Sequence, residues 1–65
     1  MLTHVPDSKI LIVDDTLGNL LSMGALFEQF NLKFSLAQTG ADAIRLVKSR
    51  LQFREPMFDI IYMDF

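Results

Sequence analysis

The chain of 65 residues contains no cysteine, which excludes disulfides and thiolate metal sites. It holds only three glycines and two prolines. No G-x-G-x-x-G or Walker pattern occurs among them, so a phosphate-cradling loop is excluded. Charge of the two signs is nearly balanced, with eight Asp or Glu against six Lys or Arg. The net charge of −2 argues against electrostatic binding to nucleic acid or to an anionic membrane. No apolar run approaches the roughly 18 residues of a membrane span. Residues 1–8 include Pro6 and Asp7 and lack the apolar core of a signal peptide. These absences predict a soluble, cytoplasmic protein. Residues 1–8 read as a flexible leader, in which the lone histidine, His4, is solvated.

What is present is an apolar share of 51%, enough for a core. A chain this short buries only about 60% of the surface exposed when unfolded, so one small domain of marginal stability is expected. Residues 9–13 and 58–63 are apolar, β-branched runs that read as buried strands. Between them the period changes. Leu20, Met23, Phe27 and Phe30 fall on one helical face, widened by Leu26. Thr16 is the expected N-cap and Asn31 the expected stop. Gly18 and Gly24 weaken this helix, unless Gly24 serves close packing. Leu32, Phe34 and Leu36 alternate with Lys33 and Ser35, as in a half-exposed edge strand. Thr39-Gly40-Ala41-Asp42 resembles a capping box. The helix it opens carries Ala43, Ile44, Val47 and Leu51 on one side, and Pro56 closes the connection that follows. Arg45, Lys48, Arg50 and Arg54 form a basic run without interleaved aromatics, which reads as a solvated face. The order is strand, helix, strand, helix, strand (β-α-β-α-β), the pattern of an α/β fold with a parallel sheet and right-handed crossovers.

Three acids carry the chemistry. Asp14 and Asp15 end the first apolar run and Asp64 ends the last. In a parallel sheet the same strand ends lie side by side, where ligands of open α/β sheets bind. Crowded carboxylates repel unless a cation joins them. A hard divalent ion such as Mg²⁺ suits one or two of these carboxylates together with water and a phosphate oxygen. An aspartate beside it can attack a phosphoryl group and become an aspartyl phosphate. Lys9 and Asp59, flanking strands, read as solvent-facing, with no catalytic role.

These landmarks resemble the receiver domain of two-component response regulators and hybrid histidine kinases. The matching residues are Ile10-Leu11-Ile12-Val13-Asp14-Asp15, Asn19, Ala37-Gln38-Thr39-Gly40 with Ala43, and Phe58-Asp59-Ile60-Ile61-Tyr62-Met63-Asp64. The resemblance implies a flavodoxin-like parallel sheet, here β-α-β-α-β with strand order 2-1-3 in order of occurrence, over residues 9–65. It implies Asp64 as phosphoryl acceptor and Asp14, Asp15 and Asp64 as the Mg²⁺ site. It also implies phosphorelay signalling, with a histidine kinase or histidine phosphotransfer domain as donor, and an acceptor module rather than an enzyme. Relative to the family pattern, the fourth and fifth strands and the last three helices are missing. So are the later Ser/Thr and Lys and the backbone carbonyl two residues past Asp64, which makes weak activity the expectation for this segment. The run 58–63 then forms an exposed edge that invites pairing with other chains, including copies of itself. Two other readings stand beside this one. A Mg²⁺-dependent phosphohydrolase with an aspartate nucleophile is one, although adjacent Asp14-Asp15 departs from the usual D-x-D spacing. A half-domain binding module that needs no phosphorylation is the other.

Overall fold

The structure, a computed structural model, describes residues 1–64. Its elements in chain order are β1 (Leu2–Thr3), β2 (Ile10–Asp14), α1 (Leu17–Gln29), β3 (Phe34–Ala37), α2 (Gly40–Gln52) and β4 (Ile60–Asp64). They build a small α/β unit whose sheet runs β1-β3-β2-β4. The three longer strands are parallel, with β2 in the middle. β1 joins β3 antiparallel, with Leu2 opposite Ala37 and Thr3 opposite Leu36. The sheet is therefore mixed, and the wholly parallel sheet expected from the sequence is corrected by this fourth strand.

Alternation along β2 divides the core. Leu11 and Val13 face α2, joining Ala37, Ala43, Leu46 and Phe58. Ile12 faces α1 and meets Leu20 and Leu36, with Met23, Phe27 and Phe34 around them. Gly24 is buried in α1 against β3, where a Cβ would come 3.2 Å from Phe34 Cε2. Its lack of a side chain lets helix and sheet approach closely. Phe27 and Phe34 meet edge to face across that junction, with ring centroids 6.1 Å apart. The expected α1 stripe stops short, since Leu26 and Phe30 are exposed.

Both helices end in the same motif, and neither uses glycine. Asn31 (φ 57°) and Arg54 (φ 53°) take the left-handed conformation. Behind them Leu32 N donates to Phe27 O at 3.0 Å, and Glu55 N donates to Arg50 O at 2.9 Å. These six-to-one bonds, with those from Asn31 N to Glu28 O and Arg54 N to Leu51 O, define Schellman caps. Asn at the first is a favoured choice, but Arg at the second carries the Cβ penalty of left-handed backbone.

The second cap leads to the structure's main departure from sequence expectation. Arg50 does not lie on a solvated face. It is fully buried, at the position i+7 from Ala43 on the buried stripe of α2 (Ala43, Leu46, Val47, Arg50), while Ile44 and Leu51 are exposed. Nη1 donates to Ser8 O at 2.7 Å and Pro56 O at 2.6 Å. Nη2 donates to Val5 O and to Ser8 Oγ, each at 2.8 Å. The guanidinium also stacks over the Phe58 ring, 4.1 Å from its centroid, a favourable cation–π geometry. Its Nε has no hydrogen bond and faces Glu55 Oε2, likewise unbonded, at 4.0 Å.

These bonds fasten the first eight residues to the domain, where the sequence suggested a leader standing apart. Ser8 and Ser35 are buried and share a 2.6 Å hydrogen bond, and Val5 N donates to Ser35 Oγ at 3.1 Å. The Met1 ammonium donates to Gln38 Oε1 at 2.8 Å. His4 is exposed, as expected, and its Nε2 lies 4.0 Å from Glu55 Oε2. Asp7 pairs with Lys33 at the surface, and the hydrogen bond from that ammonium holds the Asp7 carboxyl below its usual range. β3 is consequently an interior strand, not the expected edge, and Ser35 is covered rather than exposed.

Two stability measurements test this account. Arg50→Met is expected to lose roughly 3 kcal/mol or more, because it strands four acceptors, the two on Ser8 buried, and the facing carboxylate. Arg50→Lys restores little, since an ammonium lacks the planar fork. Urea unfolding checks both, and a wild-type midpoint for Arg50→Met refutes the network's importance. Arg54→Gly is expected to raise stability by about 1 kcal/mol by relieving the left-handed arginine. An unchanged or lowered midpoint contradicts the second cap.

Candidate functional site

The C-terminal ends of three parallel strands meet at one rim. β2 ends at Asp14, β3 at Ala37 and β4 at Asp64. Along the β2–β4 ladder Ile10 pairs with Ile60, and the register runs on to Asp14 opposite Asp64. In-register neighbours point to the same sheet face. Asp14 alternates with Ile12 and Ile10 and so lies on the α1 face, as does Asp64, which alternates with Tyr62 and Ile60. The two acids thus sit side by side on the last rung of the ladder. Asp15 follows at once in the turn into α1.

Their surroundings differ sharply. Asp14 is 2% exposed. Its Oδ1 accepts a 2.8 Å hydrogen bond from Thr16 N, closing a local turn of the kind aspartate favours ahead of a helix. Thr16 occupies the N-cap with extended backbone, but its hydroxyl makes no capping bond. That hydroxyl lies 3.5 Å from Asp15 Oδ1 instead. The side-chain cap expected of Thr16 is therefore absent, and Asp14 holds Thr16's own N–H rather than those of the first helical turn. Asp15 and Asp64 are exposed and open to a soluble partner.

The strand register brings Asp14 and Asp64 together as the sequence suggested. It does not gather all three acids into one cluster. Among the described residues no group of three His, Cys, Asp or Glu side chains is arranged to hold a metal ion. Asp14 Oδ1 is engaged by Thr16 N at the start of α1. As donors the three carboxylates suit a hard cation, and Mg²⁺ needs only one or two of them when water completes its shell.

Sequence reasoning missed Gln38 as a neighbour of this rim. It follows β3, accepts from the Met1 ammonium through Oε1, and places Nε2 3.5 Å from Asp15 O. Its sequence signals are its place just after the third apolar strand and its presence in the Ala37-Gln38-Thr39-Gly40 run. On the rim's other flank Thr39 caps α2, its Oγ1 accepting from Asp42 N at 3.1 Å as the capping box predicts. No helix is long and apolar enough to cross a membrane among the described residues.

The contrast between the two adjacent acids is measurable. Asp14→Ala removes a buried hydrogen-bond acceptor and leaves Thr16 N–H without its partner, which should cost about 1–2 kcal/mol. Asp15→Ala, at an exposed position, should fall within about 0.5 kcal/mol of wild type. Chemical denaturation of both variants checks this, and equal costs would show that Asp14 has no structural duty at the rim.

No family model, curated protein or solved structure matches this chain in comparisons with known proteins.

Proposed function

We propose that this chain is a receiver-type phosphoacceptor module of a phosphorelay, built as a partial flavodoxin-like sheet, with Asp64 as the acceptor. The observation that carries the reading is the pairing of Asp14 with Asp64 on the last rung of two parallel strands. That rung places a fixed, buried carboxylate beside an exposed one. The exposed carboxylate has the accessibility that a nucleophile meeting a bulky phosphohistidine donor requires.

The division of labour follows from the environments. An Asp64 carboxylate oxygen forms the new P–O bond as the donor's P–N bond breaks. The bonding electron pair stays on the imidazole nitrogen, which takes up a proton from water. Asp14 and Asp15 would hold Mg²⁺ with water in the remaining positions, directly or through that water. When bound, the ion supplies charge neutralisation for the transferring group. Asp14, tied to Thr16 N, keeps the rim's geometry. Asp15, exposed, is the acid freer to turn towards a ligand. The donor is a histidine kinase or histidine phosphotransfer domain. The chain itself is an acceptor and not a turnover enzyme.

Incubation with acetyl phosphate or a phosphohistidine donor plus Mg²⁺ tests the reading. The expected product is one phosphoryl group per chain at most, labile to base and hydroxylamine, and lost in Asp64→Asn and Asp64→Ala. Labelling that persists in both variants overturns the assignment. Multiple turnover of a simple phosphate ester would point instead to the phosphohydrolase.

A further inference from the structure

The peptide that joins Asp15 to Thr16 is held at both ends. Its N–H donates to Asp14 Oδ1 at 2.8 Å, and its carbonyl, Asp15 O, accepts from Gln38 Nε2 at 3.5 Å. In a trans peptide these two groups point in opposite directions, so a partner on each side resists rotation of the plane between them. Rotation of that plane changes the backbone torsion beside Asp15 and with it the direction of the exposed Asp15 side chain. The helical ladder of α1 gives no support here. It begins one residue later, at Thr16 O, which accepts from Leu20 N at 3.2 Å.

Gln38 is itself held, and by the N-terminal segment. It follows β3 and is half-buried. Its backbone N donates to Met1 O at 3.0 Å, and its Oε1 accepts from Met1 N at 2.8 Å. Leu2 pairs with Ala37 and Thr3 with Leu36 on the adjoining rungs. With Oε1 turned to a donor and Nε2 to a carbonyl, the amide meets both partners in a single orientation. At 3.5 Å the bond to Asp15 O is the weakest of the series. A shift of β1 would break it first.

We infer that Gln38 is a positioning residue for Asp15 and that residues 1–3 act through it, so that the N-terminal segment tunes cation binding at the acid rim, a regulation that rests on the reading of Asp14 and Asp15 as the Mg²⁺ acids. With the segment in place, the Asp15–Thr16 peptide is fixed and the Asp15 carboxylate is preorganised for a ligand. With the segment displaced, Gln38 loses its hold and that peptide is free to turn. Linkage requires the reverse effect too, since whatever favours the fixed peptide favours the placed segment by the same factor.

Amide exchange and amide chemical shifts test this, with urea unfolding to confirm that each variant keeps its fold. Without metal, Gln38→Met should hasten exchange of the Thr16 N–H by about 3-fold or more, because the peptide has lost one of its two anchors. A Mg²⁺ titration followed at Asp15 and Thr16 should give this variant a Kd about 3–10-fold weaker than wild type. Gln38→Ala carries the same expectations if the methionine variant fails to fold. A variant lacking residues 2–4, with Met1 joined to Val5, retains the Val5 and Ser8 partners of Arg50 and should show the same loss. Combined with Gln38→Met it should lose nothing further, as expected of sites that act as one unit. In the wild-type chain Mg²⁺ should slow exchange of the Gln38 N–H that is bonded to Met1 O. A folded Gln38 variant with wild-type Thr16 exchange and wild-type Mg²⁺ affinity overturns the positioning role. Additive losses in the combined variant overturn the action of residues 1–3 through Gln38. A wild-type chain whose Asp15 and Thr16 signals ignore Mg²⁺ overturns the cation reading and the regulation built on it, while metal-free Thr16 exchange still decides the positioning role by itself.

Discussion

One guanidinium organises this small fold. Arg50 is a full charge with no exposed surface, and burying such a group is costly unless its donors are met. Four of its five N–H groups are met by Ser8, Val5 and Pro56. Most of these partners are neutral carbonyls, so they satisfy the donors without cancelling the charge. Glu55 lies near enough at 4.0 Å to offset it, and the Phe58 ring faces the remaining surface. A planar fork suits the task because its donors diverge to separate stretches of chain. Arginine joins the entry to β2, the connection after α2 and the N-terminal segment in one knot. A leucine there would fill the space but would leave the turns at Val5–Ser8 and at Pro56 without donors.

That knot reaches the acids through backbone geometry. Pro56 O is held by Arg50, and Phe58 is buried beneath the guanidinium. The chain then enters β4 with Asp59 N donating to Lys9 O at 2.8 Å. These contacts fix which residue of β4 faces which residue of β2. The exposed apolar residues of β4 set this only weakly, because they pack little. A slip of one residue would turn Asp64 to the α2 face and away from Asp14. The pairing of the two acids is therefore decided at the opposite end of the strand, by a residue with no chemistry of its own at the rim.

Parts of this were legible in the chain. The three long strands and both helices follow from period, and both left-handed stops lie near the expected ends. The Asp14–Asp64 pairing was legible because each acid closes an apolar run and parallel strands align such ends. What was hidden has a common cause. Periodicity sorts residues by polarity, so an arginine at the i+7 position of the α2 stripe was assigned to solvent and Leu51 was assigned to the core in its place. Alternation places Ser35 on the exposed face for the same reason. With Arg50 misplaced, nothing in residues 1–8 signalled that they had anything to bind. A two-residue strand also lacks the length for alternation to be seen.

The exposure of β4 has consequences for the acids. β4 carries Asp64 on a strand held on one side by β2 and covered on neither face. Its local stability rests on few buried contacts, so its last rung is the part of the ladder most prone to open. The Asp64 carboxylate lies on the α1 face, at the rim beside Asp14. A ligand that fixed this carboxylate would also stiffen the last rung of β4, since linkage between two events that favour one conformation is reciprocal.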